Sequence, residues 1–208
     1  MAGSSTAEAP GDRQPVFFYD LASPDCYLAA ERVVAVLGVV PEFTPIASPG
    51  AVVVDRPAVE ARAVARGLQP VRWPGSVPFD SGLALRAATY AKGIGKVVAF
   101  SLAAFRQAFA GGRDLSREED VLIAGAACEL HPVALLKGAG LRSVHARLGA
   151  AGTAAAGHGV RAVPALWLPG GAVFHGDDGL EAAARALGAQ ARSATRANRP
   201  TSSPTTGP

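Results

Sequence analysis

Val16–Phe17–Phe18–Tyr19–Asp20, continuing through Leu21–Ala22–Ser23–Pro24–Asp25–Cys26–Tyr27–Leu28, is the stretch on which the reading of this chain turns. The β-branched and aromatic run Val16–Asp20 predicts a short buried strand. Ser23 followed by Pro24 is a helix entry, because serine caps the free amides and proline has none to satisfy at the first helical position. Tyr27, Leu28, Val33 and Leu37 then give an apolar stripe, and Gly38 ends it. A hydroxyl (Ser23) and a thiol (Cys26) therefore sit at one strand-to-helix junction. Far downstream, Val163–Pro164–Ala165–Leu166–Trp167–Leu168 reads as a turn passing into a strand, followed by Phe174–His175–Gly176–Asp177–Asp178.

Between these segments the pattern changes character. Val40–Ile46 predicts a second strand, shortened by Pro41 and Pro45. The strand–helix–strand order favours a parallel pair. Residues 48–54 read as a loop, Pro57–Arg66 as a helix closed by Gly67, and Pro70–Pro78 as a loop carrying Trp73. From Asp80 to about Gly157 nearly everything is helical. Ser81 is placed to cap a helix to Lys92, Lys96–Phe109 gives the next, and Ser116–Glu119 has the form of a capping box opening a helix through Glu129. Pro132 starts another, and Leu141–Ala156 is the last of the block. Val163–Leu168 and Ala172–Phe174, joined by Pro169–Gly170–Gly171, predict a hairpin, and Asp178–Leu187 a closing helix. The fold class expected is α/β, a mixed four-stranded sheet with an all-helical insertion. The expected organisation is a disordered leader over 1–14, a discontinuous sheet domain over 15–78 and 158–188, a helical insertion over 79–157, and a disordered tail over 189–208.

Bulk properties narrow the function. The chain has 208 residues, of which 49% are hydrophobic, enough for a large core. A net charge of +3 is mild, and the basic residues form no clustered stripe interleaved with aromatics, so nucleic acid is not an expected partner. Two cysteines do not make a secreted disulfide framework, and Cys128 lies in an apolar helical context. Residues 1–14 lack the apolar core of a signal peptide, and no stretch offers the ~18 apolar residues of a membrane span. The location expected is cytoplasmic, with no membrane partner. His131, His145 and His158 lack metal-ligand spacing, so no metal is expected.

Each candidate residue has a structural role beside a chemical one. Ser23 is a good N-cap, and its hydroxyl is equally placed to donate to a thiolate. Cys26 is either packed into the inner helix face or a nucleophile with a lowered pKa. Pro164 is a loop breaker or a cis residue, and Asp177 and Asp178 cap the last helix or hold a ligand. His175 and Trp73 are cleft-lining or packing residues.

Taken in order around a helical insertion, three segments resemble a family: Phe18–Ala29, Gly159–Pro164 and Gly176–Asp178. It is the DsbA-like thioredoxin-fold group, specifically its branch of 2-hydroxychromene-2-carboxylate isomerases and kappa-class glutathione transferases. The resemblance covers Val16 to Leu187. It implies a thioredoxin-like sheet, and a serine at position 23 where disulfide enzymes carry their attacking cysteine. It further implies glutathione, or another low-molecular-weight thiol, as cofactor. Ser23 would lie beside the cofactor sulfur, with Pro24 and Asp25 at the same helix mouth. Val163 and Pro164, the latter cis, would register its backbone, and Asp177 with Asp178 would hold its γ-glutamyl end. Cys26, Trp73 and His175 would border the cleft.

The activity implied is isomerisation or transfer on a small conjugated aromatic acid, with a homodimer left open. Two positions depart from the family pattern: Asp25 replaces a commoner aromatic, and Pro49–Gln69 contains no asparagine to grip the cofactor. Two other readings stay open. One is a non-catalytic thioredoxin-fold protein that binds an extended peptide. The other is a thiol–disulfide oxidoreductase using Cys26, which lacks a second thiol at position 23 to close the exchange internally.

Overall fold

The computed structural model describes residues 14–197. The elements are β1 (Val16–Tyr19), α1 (Pro24–Ala30), α2 (Val33–Leu37), β2 (Glu42–Pro45), α3 (Arg56–Ala65), α4 (Gly82–Gly93), α5 (Val97–Phe109), α6 (Glu118–Ala126), α7 (Pro132–Ala139), α8 (Arg142–Gly157), β3 (Ala165–Trp167), β4 (Val173–His175) and α9 (Gly179–Ala197). The strands form one mixed sheet in the order β2-β1-β3-β4. β1 pairs parallel with β2, Val16 facing Glu42 and Tyr19 facing Pro45. β3 runs antiparallel to both β1 and β4. Pro41 and Pro45 are tolerable because β2 is an edge strand, where a missing amide costs no inner ladder bond.

Side chains alternate across β1 and divide the interior in two. Phe17 and Tyr19 face the larger cluster with Phe43, Phe105, Phe109, Tyr27 and Leu28. Val16 and Phe18 face a smaller cluster with Ile46, Ala155, Val160 and Trp167. The larger cluster runs without a break from the sheet into α4, α5, α6 and α7, so sheet and helical segment share one core. The Tyr19 hydroxyl is hydrogen-bonded to Ser101 Oγ at 2.5 Å inside it. Where α7 meets α4, a Cβ on Gly138 would stand 2.2 Å from the Tyr90 ring, so only glycine permits that approach.

Several local expectations are corrected by tertiary demands. The helix expected to run unbroken to Leu37 divides at Glu31–Arg32, which anchor in different directions: Glu31 receives Arg106 on α5, and Arg32 pairs with Glu181 on α9. Ser81 does not cap α4; its hydroxyl donates instead to Asp20 Oδ1 at 2.7 Å. The capping box at Ser116 does not form, because Asp114 Oδ1 accepts the Ser116 amide first and Arg117 takes the Glu119 carboxylate. α6 ends at Ala126, and Glu129 adopts φ 59° in the turn that follows. The tail expected from residue 189 begins later, since α9 continues to Ala197. The remainder of the expected tail (198–208), and positions 1–13 of the leader, lie outside the described residues.

Asp20 is the joint of the fold. Its buried carboxylate accepts the Ala22 amide at 2.9 Å, the Ser48 amide at 2.8 Å and the Ser81 hydroxyl at 2.7 Å. Hydrogen bonds to a buried charge contribute about 1.5–3 kcal/mol each. Asp20→Ala is therefore expected to lower unfolding free energy by about 3–4 kcal/mol, and Ser81→Ala by about 1–2 kcal/mol. Urea melts monitored by circular dichroism check both, and equal losses would contradict the shared-acceptor assignment.

Candidate active site

The site lies where β1 hands over to α1. Ser23 has extended backbone (φ −94°, ψ 118°), and its Oγ accepts the Cys26 amide at 3.3 Å, so it does cap the helix. The hydroxyl also meets the Cys26 sulfur, a contact that works to lower the thiol's pKa. Of the other amides at this end, Ser23 N–H is bonded to Asp20 O and Tyr27 N–H to Ser23 O, while Pro24 has none. The Asp25 N–H is left without a partner among the described residues. α1 has only seven residues, so local donors rather than a summed helix dipole set the potential here.

Cys26 is fully buried, and its Sγ accepts the Asp20 amide at 3.5 Å. Burial pushes its thiol well above the ordinary range, against the contacts from Ser23 and the Asp20 amide. It does not border the cleft, and its pKa is raised where a nucleophile needs it lowered. Cys128, near the helical block, is also buried and donates its S–H to Ala124 O.

Facing Ser23 is the Val163–Pro164 peptide, which is cis. Ser23, Asp25, Ser48, Val53, Arg161 and Val163 border a cleft of about 260 Å³. The N–H and C=O of Val163 make no bond to the protein among the described residues, whereas Pro164 O accepts Gly176 N–H at 2.9 Å. Pro24 and Pro164 are buried and are not among the residues that border this cleft. Ala51, Val52 and Val53 form an apolar lip, with Val53 82% exposed.

Asp177 and Asp178 are engaged by residues that the sequence reading passed over. Arg62 on α3 bridges Asp25 (2.5 Å) and Asp177 (2.6 Å). Arg66, one turn on, pairs with both Asp177 and Asp178. Burial and the neighbouring Arg32 hold the Arg66 guanidinium below its ordinary value. Asp177 is 1% exposed, so its carboxylate is spent inside this network, whereas Asp178 remains at the surface. The signal available in the sequence was the spacing of Arg62 and Arg66, four residues apart and hence on one helix face. The departures noted at Asp25 and in Pro49–Gln69 are two sides of one fact, since Arg62 from that segment neutralises Asp25.

His175 and Trp73 do not border the cleft. His175 Nε2 accepts the Arg161 amide at 3.1 Å and braces the chain leading to Pro164. Trp73 donates to Glu60, lies under the Arg56 guanidinium and meets Phe109 edge-on. Arg161, by contrast, lines the cleft and its guanidinium has no anionic partner among the described residues. Among those residues no group of His, Cys, Asp and Glu side chains is arranged to hold a metal, and no helix is long and apolar enough to cross a membrane.

No family model matches the chain, and no curated protein matches it. Solved structures do. A 2-hydroxychromene-2-carboxylate isomerase aligns over 89% of this chain and 99% of its own, at 17% identity and TM-score 0.75. A probable DsbA oxidoreductase from Streptomyces coelicolor aligns over 91% and 92%, at 19% identity and TM-score 0.69. The cytosolic disulfide reductase DsbM from Pseudomonas aeruginosa, solved with GSH, aligns over 86% and 98%, at 20% identity and TM-score 0.62. The fold is thus thioredoxin-like: a mixed four-stranded sheet, with α4 to α8 standing between β2 and β3.

Two outcomes follow from this geometry. In the native protein, Cys26 and Cys128 are expected to resist a chromogenic disulfide reagent at pH 8 and to react fully in urea; a fast native phase lost in Cys26→Ala would contradict the burial. Arg66→Met leaves Asp177 with Arg62 as its one cation and should cost about 2 kcal/mol, less than the ~3–5 for stripping a buried charge of every partner. Chemical denaturation checks it.

Proposed function

We propose that this chain is a thiol-cofactor-dependent isomerase or transferase, with glutathione the first candidate and a small conjugated aromatic acid the substrate class. The observation that carries the reading is the division of labour at α1. Ser23 and Val163 both border the cleft, Ser23 with 2% of its surface exposed, while the neighbouring Cys26 is fully buried and does not border it. A free thiol with pKa about 8.5 is only slightly ionised at pH 7, so a donor at its sulfur raises the reactive fraction. The likeness in fold to 2-hydroxychromene-2-carboxylate isomerase supports the same class.

The residues fit the central part of such a cofactor and alter one end. Asp25 N–H would meet a sulfur anion, with Ser23 Oγ–H turning from Cys26 to join it, and the free N–H and C=O of Val163 would pair with the adjoining peptide. The cleft of about 260 Å³ is below the usual ~300–1,000 Å³ of ligand pockets, so it would hold the cysteinyl portion with the ends outside. Asp177 is withdrawn from the amine-holding role by its arginines, leaving Asp178 for it. Arg161 would take a carboxylate. When bound, the thiol supplies a nucleophilic sulfur that adds reversibly to a conjugated carbon. The protein's part is to hold that sulfur ionised at Ser23 and to keep the substrate against the apolar lip of Ala51–Val53.

A second reading, a peptide-binding protein without catalysis, is favoured by the unpaired Val163 main chain, an edge on which an extended segment could add. The oxidoreductase reading would need Cys26 to open to solvent.

Calorimetric titration with reduced glutathione is expected to show saturable heat, with Ser23→Ala weakening it by about 10- to 150-fold, the loss of one hydrogen bond to a charge. No heat and no thermal shift at millimolar ligand would remove the glutathione reading. Peptide binding unchanged in Ser23→Ala would favour the second. Insulin reduction abolished by Cys26→Ala would restore the third.

A further inference from the structure

A second cavity is larger than the Ser23 cleft. It measures about 620 Å³, within the usual size of small-molecule sites, and opens between the Val16/Phe18 face of the sheet and α8. The two share no bordering residue. Val16, Phe18, Pro45 and Trp167 make an apolar floor. The opposite wall is one face of α8, Arg147, Ala150, Ala151 and Ala154, continued by His158 just past its end. Alanine side chains are too short to reach the floor, which is why the smaller core cluster stays open where larger residues would have filled it. The His158 ring stands 4.6 Å from that of Trp167 and 6.3 Å from that of Phe18, tilted against both, and completes an aromatic end.

The charges bordering this cavity do not cancel. Glu42 is taken by Lys92 Nζ at 2.6 Å, and the same ammonium donates to Thr44 Oγ1 at 2.7 Å. Arg147 donates only from Nε to the Ser143 carbonyl on its own helix, at 3.4 Å, and has no acidic partner among the described residues. Its guanidinium lies over the end of α4, 2.7 Å from where a Cβ on Gly93 would stand, so the glycine leaves it room at the cavity rim. One uncompensated, planar, two-pronged cation beside an apolar aromatic floor suits a flat apolar body carrying a carboxylate.

We propose that this cavity is a second ligand site, taking a small aromatic or alicyclic carboxylate whose ring lies on Phe18 and Trp167 and whose carboxylate meets Arg147. It is independent of the thiol reading of the Ser23 cleft.

The experiment titrates the full chain with 2-naphthoate by calorimetry, with 2-naphthamide as the uncharged control. 2-Naphthoate is expected to bind at micromolar to submillimolar concentration, and the amide about tenfold more weakly. Arg147→Gln should remove that preference while leaving amide binding unchanged. Ala154→Leu, at an exposed position that projects into the groove, should abolish binding of both, with circular dichroism and melting temperature as in the wild type. Absence of 2-naphthoate binding at millimolar concentration would overturn the proposal. So would binding unaffected by both substitutions, or binding displaced by glutathione and lost in Ser23→Ala, which would place the ligand in the other cleft. Self-association broken by Ala154→Leu without any naphthoate binding would overturn it too, assigning the face to a second copy of the chain.

Discussion

A single buried carboxylate, that of Asp20, holds the active end of this protein together. It ends β1, and its two oxygens gather an amide from the turn before α1, an amide from the loop after β2 and a hydroxyl from the start of α4. These three segments contribute Ser23, the Ser48–Val53 lip and the first helix of the helical block. A charge removed from water is tolerable only where donors replace the lost hydration, and three of them do so here. The position of Ser23 relative to the cleft is therefore set by electrostatics one residue beyond the strand, before any packing of the cleft itself. Cys26 enters the same arrangement from below, its sulfur accepting the Asp20 amide while the carboxylate faces the other way.

The second constraint is the arginine pair of α3. Arg62 and Arg66 reach across to Asp25 at the start of α1 and to Asp177 and Asp178 at the start of α9, tying together elements far apart in sequence. The aspartates that could have served as ligand-holding groups are largely committed to this lattice, and Arg161 at the cleft has no anionic partner among the described residues. The cleft thus presents a positive rim and an apolar lip in place of an acidic pocket.

What the sequence disclosed, and what it did not, follows from the range of the interactions involved. The strands β1 and β3 and the order of the helices were legible, because side-chain periodicity and Pro/Gly punctuation are local. Ser23 as a cap was legible for the same reason. The break at Glu31–Arg32 was not, since it coincides with pairings to Arg106 and Glu181 in remote helices. Ser81 and Ser116 look like caps in isolation, and both were outbid by carboxylates, Asp20 for the first hydroxyl and Asp114 for the second amide. Arg62 went unnoticed because its importance lies 115 residues away at Asp177. Trp73 and His175 were placed near the cleft by their positions, before the insertion and after Phe174, but a Trp N–H and a His ring nitrogen also find good partners in packing, and here they did.

The contrast between Ser23 and Cys26 decides which sulfur chemistry is open to the fold. Disulfide exchange requires a thiolate that can reach its target, and its rate falls with both the ionised fraction and the access. Cys26 is deficient in each: its thiol is raised by burial and has no route to solvent. Ser23 borders the cleft but is itself almost wholly buried, and it is not a sulfur nucleophile. What the pair can do together is hold a cap geometry from within, with the Asp25 amide left without a partner among the described residues. That amide, joined by the Ser23 hydroxyl turning from Cys26, matches the needs of an anion with few hydrogen-bonding sites, as a thiolate is, better than those of a phosphate, which would demand more. On this ground a sulfur carried in from outside is the reading that the local chemistry favours over one supplied by the chain.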